Sequence, residues 1–183
     1  MVIDCAHGAM MQQRVTTTSE AHHARGATAG VPSGLRDAFE QRLQNDGVIG
    51  ALAFLNHRTR FRFTGLYRVV PPALHNVSLF DRENPALNVS GAVCALDETY
   101  CSLVCSSGDA LAITDSRDDS RVAQHPTRDA IQSYAGVPVR QPGGSVLGSL
   151  CHFDGRPRLL PTGELAVLTA VAPLLATWLA ADA

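Results

Sequence analysis

Lysine is missing from this chain: all fifteen of its basic residues are arginine. That excludes Schiff-base catalysis and a P-loop lysine, both of which need a primary amine. There is no CxxC pair, no GxSxG and no HExxH, so the local signatures of a zinc knuckle, a nucleophile elbow and a zinc protease are absent. Nor is there an excess of charge of one sign. A net charge of -2 and a pI near 6.4 leave no electrostatic footprint for nucleic acid or an anionic membrane. No uninterrupted apolar run is long enough to cross a bilayer, and the N-terminus lacks a continuous apolar h-region. Five cysteines form an odd set without the density of a disulfide scaffold. These absences predict a reduced, cytoplasmic protein with no nucleic-acid or membrane partner. At 183 residues and 45% hydrophobic, it can bury one good core and has little room for a second.

Residues 1–33 are rich in threonine, alanine, histidine and glycine without a sustained apolar period, and are expected to be a disordered leader. His22-His23 supplies too few ligands for a closed metal site. The folded domain is expected over residues 34–183. Leu35, Phe39 and Leu43, then Val48, Leu52 and Leu55, recur at helical spacing with a phase shift near Gly47. They predict a bent helix, or two segments, to about His57. Phe61–Val70 alternates as a half-buried strand, with Phe61, Phe63, Gly65, Tyr67 and Val69 on one face. After Pro71-Pro72, Leu74–Phe80 returns with His75, Val77 and Leu79 on one face. A short strand is expected within Val89–Leu96. Asp97 is then a plausible N-cap for a short helix to about Ser106. Leu111–Thr114 reads as a strand, Ser116–Thr127 as a charged loop, and Arg128–Gln132 as a turn of helix. Gly163–Ala181 is a terminal helix kinked at Pro173, with Leu165, Leu168, Val171, Leu175 and Leu179 along one stripe.

The most informative stretch is Tyr134–Asp154. Two short apolar runs, Tyr134–Arg140 and Val146–Phe153, flank Gln141-Pro142-Gly143-Gly144. Proline fixes one φ and the paired glycines supply positive φ, which together specify a hairpin. The element order predicts an α+β arrangement: an antiparallel sheet of about five to six strands with the terminal helices on one face. A short-helix and loop cap, Glu98 to Gln132, would cover the other.

That order, with three local words, resembles the GAF domain family. The words are Thr99-Tyr100-Cys101-Ser102-Leu103-Val104 before the strand ending in Asp115, Tyr134-Ala135-Gly136-Val137-Pro138-Val139, and Gly148-Ser149-Leu150-Cys151-His152-Phe153-Asp154. The resemblance covers about Leu35 to Leu179 and implies a small-molecule-binding sensory module in signal transduction. It names no ligand or cofactor. It excludes the cyclic-nucleotide-binding branch, whose signature needs a lysine, and the helix-borne Cys-His that links a phytochrome chromophore. Cys151-His152 is similar to a Cys-His pair on a late phytochrome strand whose histidine faces the chromophore. Carried over, this implies Gly148, Leu150 and His152 on the pocket side, with Cys151 and Phe153 in the core. An enzymatic alternative is the free methionine-(R)-sulfoxide reductase type. Cys101 resembles its partner cysteine, but the Ser116–Thr127 loop lacks the expected nucleophilic cysteine.

The candidate ligand-binding set is therefore Tyr100, Cys101, Asp115, Arg128, Tyr134, Leu150 and His152. His152 can donate, accept and titrate near neutrality. Tyr100 and Tyr134 combine an apolar ring with a polar tip, and Arg128 can clamp an anion. No catalytic residue is assigned unless the protein is a redox enzyme, in which case it is Cys101. No metal site is expected, because Asp115, Asp118 and Asp119 lack the spaced oxygens of an EF-hand. Cys101 and Cys105, one helical turn apart, read as small core residues or as a redox pair; that spacing seldom meets disulfide geometry. Leu35, Phe39 and Leu43 with Leu165, Leu168, Leu175 and Leu179 could form a two-fold helical interface, giving a homodimer that signals to a separate output protein. A third reading is a ligand-free dimerisation domain.

Overall fold

A computed structural model describes Val31, residues 34–87 and residues 89–180. Apart from Val31, the expected leader, with His22-His23, lies outside the described residues, as does Ala181. The elements run α1 (Leu35–Asn56), β1 (Phe63–Val70), β2 (Ala73–Asp81), β3 (Val93–Ala95) and α2 (Tyr100–Ser107). They continue with β4 (Leu111–Ile113), β5 (Ser133–Arg140), β6 (Val146–Asp154), α3 (Glu164–Val171) and α4 (Ala176–Ala180). The six strands form one antiparallel sheet in the order β3-β2-β1-β6-β5-β4. This is the α+β architecture that the alternating strands and flanking helices predict. No helix among the described residues is long and apolar enough to cross a membrane.

Two apolar clusters, one on each face of the sheet, share no residue. On one face, α1, α3 and α4 bury Phe39, Leu52, Leu55, Leu168 and Leu179 against Leu66, Val137 and Leu150. On the other, Tyr100, Cys101 and Val104 of α2 pack on Phe63, Tyr67, Tyr134, Cys151 and Phe153. Alternation along each strand produces the split: Leu66 points one way and Tyr67 the other, as do Leu150 and Cys151.

Local chemistry explains where the elements bend. Gly47 sits at φ 68°, ψ -169°, which breaks α1 at the residue where the apolar period shifts phase. Pro173 cannot donate to a helix, and the terminal segment tightens to a 3₁₀ turn over Ala172–Leu175 between α3 and α4. The hairpin uses Gly143 at φ 121° and Gly144 at φ 93°. It closes with Gly144 N–H donating to the Gln141 carbonyl at 2.9 Å.

Three expectations need correction. Asp97 is inside a 3₁₀ turn (Leu96–Glu98), and the N-cap position of α2 belongs to Thr99. The single face assigned to His75, Val77 and Leu79 is broken by a bulge: Leu66 pairs with Ser78 but Tyr67 with Asn76. The extra residue, Val77, packs on the helix side, while Leu79 faces α2. The leucines assigned to a dimer interface are spent within the subunit. Leu35, Phe39, Leu43, Leu168, Leu175 and Leu179 are buried, and Leu165 is partly buried against the same core. A stripe periodic enough to pair with a second copy is equally suited to packing on its own sheet, and here the sheet takes it.

Candidate functional site

The cavity lies between the sheet and the cap. Its floor is Tyr67, Leu74, Tyr134, Cys151 and Phe153, with Cys94 at the β3 edge. Glu98 and Thr99 just before α2, Tyr100 and Cys101 at its start, and Thr127 and Ile131 from the loop before β5 form its roof. About 40 Å³ is open to the centre of a water-sized molecule, room for a few waters or one very small solute, since one water needs roughly 10–15 Å³.

Two glycines shape the floor. A Cβ at Gly136 would run into the Tyr134 hydroxyl and ring, and one at Gly65 would meet the Tyr67 ring at 2.5 Å. Each tyrosine lies along its own strand over the glycine two residues away. The rings are therefore held flat beneath α2. Tyr100 packs edge-on to Tyr134, with ring centroids 5.6 Å apart, and tilts onto His125 at 4.7 Å.

The polar atoms of this face are incompletely satisfied. The Tyr100 hydroxyl and Thr127 Oγ1 are buried lining groups with no hydrogen-bond partner among the described residues. Burial raises the Tyr100 pKa, against a smaller opposing effect of the Ser116 hydroxyl, which donates its own proton to the Arg128 carbonyl at 2.6 Å. Buried polar groups left without partners are uncommon, and two on residues that line one cavity point to a ligand or water that completes the bonding.

The sulfur chemistry is also here. Cys101 Sγ and Cys151 Sγ are 3.9 Å apart, and the Tyr134 hydroxyl donates to Cys101 Sγ at 3.4 Å. Contact with the Cys151 thiol lowers the Cys101 pKa. Burial opposes that shift, and the Ser149 and Tyr134 hydroxyls reinforce it. Burial raises Cys151 well above the usual thiol range. Cys105 is pushed up to about 12, mainly by burial. The pair brought together is thus Cys101 with Cys151, 50 residues apart, rather than the helical neighbours Cys101 and Cys105.

Of the seven predicted ligand-binding residues, Tyr100, Cys101 and Tyr134 line the cavity. Asp115 and Arg128 do not. Asp115 pairs with Arg117 at 2.6 Å and accepts from its backbone N–H, while Arg128 donates to the carbonyls of Ser116 and Arg117. Both brace the loop behind the roof. Leu150 and His152 lie on the opposite face, which reverses the orientation carried over from the phytochrome strand. Leu150 is in the helix-side core, and Cys151 and Phe153 face the cavity. The reason is register: Leu150 pairs with Leu66, whose side chain also points at the helices. Sequence reasoning missed Tyr67, Thr127 and Cys151 as lining residues. The Tyr-x-Gly spacing at Tyr134 and the Gly-x-Tyr spacing at Tyr67 were the available signal.

His152 belongs instead to a buried polar network under α1 and α3. Asn56 Nδ2 donates to Thr64 Oγ1 at 2.9 Å, and Thr64 Oγ1 lies 2.7 Å from His152 Nδ1. The Glu164 carboxylate, its Oε1 3.7 Å from Nε2, favours the tautomer with the ring proton on Nε2, in which the Thr64 hydroxyl donates to Nδ1. Arg58 reaches the same carboxylate at 3.1 Å. Burial keeps His152 below its usual pKa; burial pushes Glu164 up, but His152 and Arg58 outweigh it and hold the carboxyl low.

A family model for the GAF domain matches residues 51–178, which covers the sheet, the roof, the end of α1 and most of the C-terminal helices. The chain belongs to the GAF domain family. Solved GAF structures share the fold. The GAF domain of an Acinetobacter phosphoenolpyruvate-protein phosphotransferase superposes with a TM-score of 0.63 at 14% identity, covering 80% of this chain and 91% of that one. The phycocyanobilin-bound GAF domain of a cyanobacterial phytochrome gives 0.59 at 15% identity, covering 81% and 93%. The type II free methionine-R-sulfoxide reductase of Thermoplasma acidophilum gives 0.56 at 19% identity, covering 79% and 94%. At these identities the likeness is one of fold. No curated protein matches the chain.

Proposed function

We propose that this GAF domain is a sensory module that binds a small polar molecule between its sheet and the roof formed by Glu98–Cys101 and Thr127–Ile131. The observation that carries the reading is that two cavity-lining residues, Tyr100 and Thr127, each hold a buried polar atom without a hydrogen-bond partner among the described residues, the Tyr100 hydroxyl and Thr127 Oγ1. A ligand with a donor or acceptor there recovers bonding that the protein alone leaves unmade. The roof is built from a short helix and turns, so a ligand larger than a few waters is accommodated by displacing it. That displacement is the signal: a ligand shifts the equilibrium only by its preference for one roof position.

Output passes to a separate protein or a second copy. A homodimer through the terminal helices would use their outer surface, where Trp178 is 45% exposed beside Leu174 and Gln44, because the inner leucines are already buried. Cys101 and Cys151 are free thiols in the resting protein. Native mass spectrometry of the purified protein, followed by a thermal-shift screen of small metabolites, tests the reading. A bound species whose affinity falls about tenfold in Tyr100→Phe supports it. A ligand indifferent to Tyr100→Phe and Thr127→Val would place binding elsewhere.

A sulfoxide reductase reading has the Cys101–Cys151 proximity in its favour. It predicts thiol consumption by free methionine-(R)-sulfoxide that Cys101→Ser abolishes.

A further inference from the structure

The geometry points to a modification site distinct from ligand sensing: Cys101 and Cys151 are a dithiol that a hydroperoxide oxidises to a disulfide, tying α2 to β6. The sulfurs touch at 3.9 Å across the roof-to-floor contact, and a disulfide requires closure to about 2.05 Å. Both residues line the cavity, so an oxidant in the cavity reaches both. The open volume of about 40 Å³ suits an oxidant of a few heavy atoms, a size that hydrogen peroxide and small alkyl hydroperoxides meet.

The two thiols are unequal in a way that assigns their roles. Cys101 is the second residue of α2, where the helix N-terminus favours a thiolate. It also accepts from the Tyr134 hydroxyl at 3.4 Å. Cys151, fully buried on β6, has no such support from a helix end. Cys101 is the attacking sulfur and Cys151 resolves. In the first step the Cys101 thiolate attacks the peroxide, the S–O bond forms, the O–O bond breaks, and the departing oxygen takes a proton to leave as alcohol or water. In the second, the Cys151 sulfur attacks the sulfenic sulfur. The S–S bond forms, the S–O bond breaks, and water leaves with the Cys151 proton. Two electrons pass from two thiols to one hydroperoxide, and nothing else is consumed. Cys105, one turn along α2 and outside the cavity lining, is a control within the same protein.

This inference stands apart from the proposed ligand, because it concerns the chain's own thiols. Fully reduced protein is treated with one equivalent of hydrogen peroxide, alkylated, and mapped by non-reducing peptide mass spectrometry. The expected product is a Cys101–Cys151 cross-link formed at least about tenfold faster than Cys105 is lost, with the melting temperature raised by roughly 5–10 °C. Cys151→Ser is expected to stop at a sulfenic acid on Cys101 that dimedone captures, and Cys101→Ser to leave Cys151 unreacted at the same dose. The wild-type map decides the matter even if a serine variant misfolds. Cross-linking of Cys101 to any other cysteine, or loss of Cys105 as fast as Cys101, overturns the proposal. Failure to find a ligand for the cavity leaves it intact.

Discussion

The two faces of the one sheet are built on opposite principles. Under α1 and α3 the polar groups are numerous and mostly paired, His152 Nε2 excepted. Asn56 alone shares its two amide N–H groups among the Phe61 and Arg62 carbonyls and Thr64 Oγ1, and accepts from Arg82. Under α2 the layer is thinner and holds two touching thiols and unpaired Tyr100 and Thr127 hydroxyls. A face that satisfies its polar atoms internally has little to gain from a ligand; one that leaves them open gains a hydrogen bond from whatever enters. The helix face is therefore the foundation, and the α2 face is where function can be sited.

That contrast can be broken by substitution. The largest effect is expected from Phe39→Ala, which empties a fully buried site in the helix-side core and should cost about 3–5 kcal/mol in urea denaturation. Cavity chemistry, read as peroxide reactivity of Cys101, should be unchanged while the protein remains folded. Asn56→Ala removes the acceptor of Arg82 Nε and the donor to Thr64 and should cost about 2–3 kcal/mol by the same measurement. A loss below 1 kcal/mol would mean that water replaces the amide and that the network is not the foundation described.

Gly136→Ala acts on the other face. The new Cβ collides with the Tyr134 ring, so a cost of about 1–3 kcal/mol is expected. Here the diagnostic change is displacement of Tyr134 from Cys101, seen as slower oxidation of that thiol. Stability loss without altered thiol reactivity would show that the ring position is irrelevant to the cavity.

The smallest effect sharpens the comparison through pH. His152 has its folded pKa lowered by burial, so just below about pH 6.5 the unfolded chain binds a proton that the folded one does not. Stability therefore falls as pH drops through that window. Glu164 is also held below its usual value; its contribution is present above the unfolded carboxyl pKa and is lost as pH falls further. Melting temperatures of wild type and His152→Asn between pH 7.5 and 5 should diverge, the variant showing the flatter dependence. Equal slopes would remove His152 from the account.

Much of the fold was legible because it rests on short-range physics. The hairpin followed from Pro142-Gly143-Gly144, the break in α1 from Gly47, and the kink from Pro173. The roof boundaries were also readable, since Tyr100–Ser107 is a short helix isolated between strands. The candidate site was only half legible. Tyr100, Cys101 and Tyr134 line the cavity, whereas Asp115 and Arg128 spend their charge on Arg117 and on loop carbonyls. Loop charge looks the same in sequence whether it faces a ligand or its own backbone.

By itself, the sequence determined the period of each element, and with it the partition of every strand into two sets of side chains. Leu150 and His152 had to face away from Cys151 and Phe153, because successive residues of a strand point to opposite sides. Which set met the helices and which met the cavity was decided only by the tertiary structure. Strand register placed Leu150 beside Leu66 and Cys151 beside Gly65, and the helices cover the side to which Leu66 points. The same long-range pairing brought Cys151 to Cys101. Periodicity repeats within a strand and carries no label for its two sides; the label comes from what packs on each.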